Sequence, residues 1–115
     1  MLPVQFRLKN RKEFNDIFRQ GKMLSNGTLA MKYVRAGTKE LKIGFSVGLK
    51  FSKKALKRNR VKRWLREAVR SLLKNMRTGY KIIFLINPRF PYEQMSYLLI
   101  QENMENLLRK EKLIK

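Results

Sequence analysis

Apolar and polar residues alternate along this chain with two different periods, and the switches between them predict its elements. Residues 1–9 form an extended, irregular lead-in. Asn10, with Glu13 three positions later, opens a helix of the capping-box kind. That helix carries Phe14, Ile17 and Phe18 and stops at Gly21, a left-handed cap. Residues 22–25 form a short strand, and Asn26-Gly27 is a hairpin turn signal. Over 28–35 a period of two puts Leu29, Met31 and Tyr33 on one face and Ala30, Lys32 and Val34 on the other. After the turn at 36–39, Leu41, Ile43, Phe45 and Val47 alternate with Lys42, Gly44 and Ser46. The small residues of that second face leave room for a groove, or equally for close packing of a helix.

Residues 49–56 lead into a long basic helix that ends near 76–78, with Gly79 as its stop. The unbroken apolar run 82–86 suits a central strand covered on both faces, as in a parallel pair joined by a crossover helix. A loop spans 87–91. From Tyr92 a last helix carries Met95, Leu98, Leu99, Met104, Leu107 and Leu108 and frays over 110–115. The order is helix, two or three strands, helix, strand, helix. With the short 22–25 run counted it is αβββαβα, an α+β sandwich on a four-stranded mixed sheet.

The stretch 50–70, KFSKKALKRNRVKRWLREAVR, organises the rest. At about 100° per residue, Trp64, Ala68, Val61, Leu72, Leu65, Met76 and Val69 share one arc. Lys62, Arg66, Asn59, Arg70, Arg63 and Arg60 fall on the other side. Charged positions usually make a solvated face. Here Glu67 is the lone acid among them, so pairing one turn apart does not account for the pattern. Arginine also outnumbers lysine between 58 and 70, and its planar fork suits bidentate phosphate contacts.

Composition sharpens this picture. The 115 residues suit one domain, 1–115, and 43% hydrophobic content allows a real core. Lys and Arg number 28 against 8 Asp and Glu, a net charge of +20 that calls for a polyanionic partner. An acidic membrane surface is second choice, because no segment is long enough to span one, and the N-terminus lacks the apolar run of a signal peptide. No Cys and no His are present, which removes thiolate and imidazole chemistry. No acidic pair is poised for metal-assisted or acid–base catalysis, so the polypeptide alone is not expected to be a catalyst. Duplex DNA, with the helix in a major groove, is one option. RNA fits better: no second helix stands at helix-turn-helix spacing, and Phe14 and Phe18, one turn apart, suit stacking of unpaired bases. The alternative for both phenylalanines is the core.

Residues 57–70, KRNRVKRWLREAVR, closely resemble the RNR signature of the bacterial ribonuclease P protein subunit. The likeness extends to Arg7-Leu8-Lys9, Glu13-Phe14, Ile17-Phe18 and Gly21-Lys22, to Gly44-Phe45-Ser46-Val47, and to Gly79-Tyr80-Lys81-Ile82-Ile83. The resemblance implies a small α/β sandwich with a left-handed crossover, against the usual handedness. It implies a partnership with one large catalytic RNA, whose bound Mg2+ ions cut the 5′ leader from precursor tRNA. The protein would hold the leader and help the RNA keep its active form. It would be a cytoplasmic monomer within the ribonucleoprotein, with no metal of its own and no membrane. By position, Arg58, Asn59, Arg60, Lys62, Arg63, Arg66 and Arg70 would face the catalytic RNA. Phe14, Phe18, Lys32, Lys50 and Arg89 would serve the leader. Three places depart from the family pattern. Val47-Gly48-Leu49-Lys50 keeps one of two expected lysines, an aromatic of the second strand falls at Lys32 or Tyr33, and Asn87-Pro88-Arg89 stands where basic residues are common. A small basic ribosomal protein or RNA chaperone is the alternative.

Overall fold

In β4 (Tyr80–Ile86) the side chains alternate between two apolar layers, which makes this strand the centre of the molecule. Ile82, Phe84 and Ile86 join the larger core, whereas Ile83 and Leu85 meet a smaller cluster on the opposite face. The structure, a computed structural model, describes residues 3–115. Met1 and Leu2, the start of the expected lead-in, lie outside the described residues. On one flank of β4 runs β2 (Leu29–Arg35), antiparallel, with Met31 opposite Phe84. On the other runs β3 (Leu41–Ser46), parallel, with Phe45 opposite Phe84. The short β1 (Lys22–Ser25) adds to β2, giving a four-stranded mixed sheet in the order β1-β2-β4-β3.

Helix α1 (Arg11–Gln20) covers one face of the sheet through Ile17, which packs with Leu8 and Ile83. Helices α2 (Ala55–Leu72) and α3 (Tyr97–Lys110) share the other face. The expected α+β order αβββαβα is therefore the observed one, and α2 is the crossover between the parallel neighbours β3 and β4. Val61, Leu65, Ala68, Val69 and Leu72 form the buried stripe of α2, as the spacing predicts. Trp64, expected inside, is only half-buried.

Several boundaries differ from expectation for local reasons. Gly21 is not left-handed but extended, at φ −71° and ψ 145°. A Cβ there would stand 2.5 Å from the carbonyl oxygen of Ile17, so close approach and not backbone freedom selects glycine. The Asn10 side chain accepts from Lys12 N at 2.8 Å, but Glu13 leaves the capping box to pair with Lys81 at 3.0 Å. The lead-in contains a single helical turn, Val4–Phe6. Helix α2 stops at Leu72, earlier than expected, and a tight turn (Leu73–Asn75) delivers Met76 to a bridge with Ile114. Gly79 is not a helix stop. At φ 90° it turns the chain into β4, with its N–H donating to Glu40 O at 2.6 Å. Tyr92 does not begin the last helix but a separate turn (Tyr92–Gln94); α3 begins at Tyr97, capped by Ser96 Oγ, which accepts from Leu99 N at 3.2 Å. The tail does not fray, because Leu113 and Ile114 are buried and Arg77 N donates to Leu113 O at 2.8 Å.

Candidate nucleic-acid interface

Burying one stripe of α2 forces its other stripe outward. Asn59, Arg60, Arg63, Arg66 and Arg70 are exposed and Lys62 is half-exposed. The four ion pairs among the described residues are Lys22–Glu111, Lys57–Glu93, Lys81–Glu13 and Arg109–Glu105, so none involves a cation of 58–70. Charges set this close together on a single helix repel one another, and a polyanion is what would relieve them. Arg58 is the exception to the outward set. Its Nη1 donates to Ser52 O at 2.9 Å, bracing the entry to α2. Arg60 Nη1 donates to the Tyr92 hydroxyl at 3.2 Å, and its guanidinium lies 5.9 Å from the centre of the Trp64 ring.

Two grooves border this ridge. The first, about 300 Å³, opens between the lead-in, α1 and β3; Arg7, Lys9, Phe14 and Gly44 line it together with Lys62 and Arg66. The basic helix and α1, on opposite faces of the sheet, thus contribute to one groove. The second, about 590 Å³, runs along α2 between Leu56, Arg60, Arg63 and Tyr92.

Of the candidate leader residues, Phe14 lines the first groove. Phe18 sits one turn further along α1, 37% exposed, beside Lys32. The Lys32 Nζ donates to Phe18 O at 2.7 Å and lies 5.5 Å from the ring centre. Tyr33 points to the other face, edge-on to Tyr80 at 6.0 Å, so Lys32 is the residue on the α1 side. Lys50 and Arg89 are exposed in turns after β3 and β4 and line neither groove. The structure does not bring them against Phe14. Arg7 and Lys9 went unnoticed as groove residues, although they flank Leu8, whose burial aims the segment at β3. Lys57, the first residue of the signature-like stretch, and Tyr92 also join the second groove, and only the contact between the 92–94 turn and α2 places them there.

The groove chemistry is that of a binding surface. A hydrogen bond from its own backbone N–H, then the Lys57 charge, holds the Glu93 carboxyl below the ordinary carboxylate range, so this neighbouring acid stays ionised. Among the described residues no three His, Cys, Asp or Glu side chains converge as a metal cage. Nor is any described helix long and apolar enough to cross a membrane.

A family model described as Ribonuclease P matches residues 2–112. The chain belongs to the ribonuclease P protein family. The ribonuclease P protein component of Caldanaerobacter subterraneus is 34% identical over 104 residues, which are 90% of this chain and 87% of that one. That of Symbiobacterium thermophilum is 40% identical over 82 residues, 70% of each chain. The solved ribonuclease P protein of Thermotoga maritima superposes with a TM-score of 0.81 at 30% identity, covering 90% of this chain and 96% of its own. As a family member, the chain is the RNA-binding protein component of an endoribonuclease, a ribonucleoprotein in tRNA processing whose catalysis is RNA-based. The ribosomal-protein and chaperone alternative is displaced by this assignment.

Proposed function

We propose that this chain binds the catalytic RNA of ribonuclease P through the outer face of α2 and the 5′ leader of precursor tRNA beside α1. In this reading 1–115 acts as one RNA-binding domain, monomeric within a cytoplasmic ribonucleoprotein. The observation that carries it is the run of Arg60, Arg63, Arg66 and Arg70 along α2 with no carboxylate partner among the described residues. Asn59 and Lys62 extend that contact, and Arg58 fixes the loop from which the helix starts. Phe14 and Phe18 offer aromatic surface to unpaired leader bases, with Lys32 supplying charge beside Phe18. Lys50 and Arg89 act on more distant leader phosphates. Mg2+ belongs to the RNA in this scheme, where phosphate oxygens supply the hard ligands that the ion prefers. The ion would supply Lewis-acid chemistry there when bound, while the polypeptide's own task is to hold and orient RNA.

Cleavage assays test this directly. The protein alone leaves precursor tRNA intact; a bacterial ribonuclease P RNA with the protein removes the leader at low Mg2+, and precursor binds more tightly than mature tRNA. Equal affinity for precursor and mature tRNA would defeat the leader role, and metal-dependent cutting by RNA-free protein would defeat the non-catalytic one.

A further inference from the structure

The larger groove along α2 holds two groups that a phosphate-binding ridge does not need. Leu56 is 86% exposed on its rim, the most exposed large apolar side chain among the described residues. Tyr92 comes from a different element, the turn before α3, and is held at the groove by three contacts. The Phe51 ring lies edge-on to it at 6.4 Å and 64°, its hydroxyl accepts from Arg60 at 3.2 Å, and Lys57 Nζ sits 4.7 Å from its ring centre. The ring is thus pre-set before any ligand arrives, so little ordering entropy opposes binding there.

We propose that Leu56 and Tyr92 seat one unstacked nucleobase of the catalytic RNA, with Arg60 and Arg63 taking the phosphates on either side of it. The proposal rests on the reading that α2 binds that RNA and adds a base-recognition contact to its phosphate contacts. Lys57 is the placeholder. Its pairing with Glu93 is long, 3.6 Å, and Glu93 is largely exposed, so the pair is weak and easily exchanged. A tyrosine face attracts an ammonium group and a base alike. When the base arrives, the ammonium leaves the ring for the adjoining phosphate, and the exposed leucine is covered in the same step. RNA suits this arrangement because its specific recognition depends on splayed-out bases, whereas a regular duplex backbone would engage the arginines and leave Leu56 and Tyr92 bare.

The test uses an in vitro transcribed bacterial ribonuclease P RNA. Short-wavelength irradiation of the unaltered protein–RNA complex, followed by mass spectrometry, should give a crosslink joining Tyr92 to a single nucleotide. Tyr92→Ala should lose roughly five- to hundred-fold in affinity, the range of one stacked base, at an unchanged salt slope. Tyr92→Phe should stay within a few-fold of the parent. Arg63→Ala should flatten the salt slope. A complex that forms normally but gives no Tyr92 crosslink overturns the base seat and leaves the α2 reading standing. So does wild-type affinity in a folded Tyr92→Ala. An Arg63→Ala slope equal to the parent's, or no binding by the parent, removes the α2 reading and the base seat with it. The crosslink uses the native sequence, so a folding defect in Tyr92→Ala cannot mask the answer.

Discussion

A methyl group at position 44 would lie 2.5 Å and 2.7 Å from Phe14 ring atoms and 3.1 Å from Leu8 Cδ2. That single missing Cβ lets α1 settle against β3 with Phe14 over the strand. Gly44→Ala should push the ring outward; overpacking of this kind costs about 1–3 kcal/mol, read as a lower melting temperature together with weaker leader binding. An unchanged melting temperature would show that Phe14 moves aside freely and is not held by the sheet. Phe18 is the opposite case. Its ring is 37% exposed and borders Lys32, so Phe18→Ala should barely change melting while weakening leader binding by about 1–3 kcal/mol. Melting that falls sharply without a binding loss would assign it to the core. The sequence spacing left both phenylalanines between core and stacking surface. They are the same residue one turn apart, and only the sheet residues opposite them, Gly44 and Lys32, separate their roles. Those neighbours come from the crossing of α1 over the strands, which no local pattern contains.

At the scale of elements, the two-sided character of α2 was legible because one helix carries both stripes at a fixed period. Its end was not. Leu72 closes the helix because Met76 is drawn into a bridge with Ile114, a partner 38 positions away (114 − 76). The order of the tail is equally hidden from local pattern, since it depends on pairing with residues 75–77 and not on its own charges. A third non-local tie joins β1, β2 and the turn after α3. The Glu111 carboxylate lies 2.7 Å from Lys22 Nζ and accepts from the Tyr33 hydroxyl at 2.6 Å. The hydrogen bond from Lys22, then that from Tyr33, holds Glu111 below the ordinary carboxylate range. A depressed folded-state pKa contributes stability above the unfolded value of about 4.3 and loses it as pH falls through the folded one. Burial first, and then the Glu111 hydrogen bond, pushes the Tyr33 phenol up to about 12. Its contribution has the reverse sign: complete below an unfolded value of about 10 and lost as pH rises through the folded one. Melting temperature followed against pH should decline at both ends, and Glu111→Gln should flatten the acid limb. If the acid limb survives that substitution intact, the loss originates at other carboxylates.

For the whole molecule, +20 on 115 residues means that salt acts with opposite sign on the fold and on the complex. Four of the eight acids are committed to ion pairs, and none of these pairs among the described residues involves Arg60, Arg63, Arg66 or Arg70; the only acid paired to α2 is Glu93, through Lys57. The free protein is therefore under self-repulsion, which added salt screens once the Debye length drops below about 10 Å. Its melting temperature should rise between 50 and 500 mM salt. The RNA complex should weaken over the same range, because each phosphate contact releases counterions and the affinity falls linearly in log salt. Arg66 is exposed, borders both grooves and has no ion-pair partner among the described residues. Arg66→Ala should accordingly lower the salt slope by about one while leaving the free protein as stable or slightly more so, since one repelling charge is gone. The two measurements separate binding from folding: an arginine that served the fold would lower melting when removed, and one that served only solubility would leave the slope where it was.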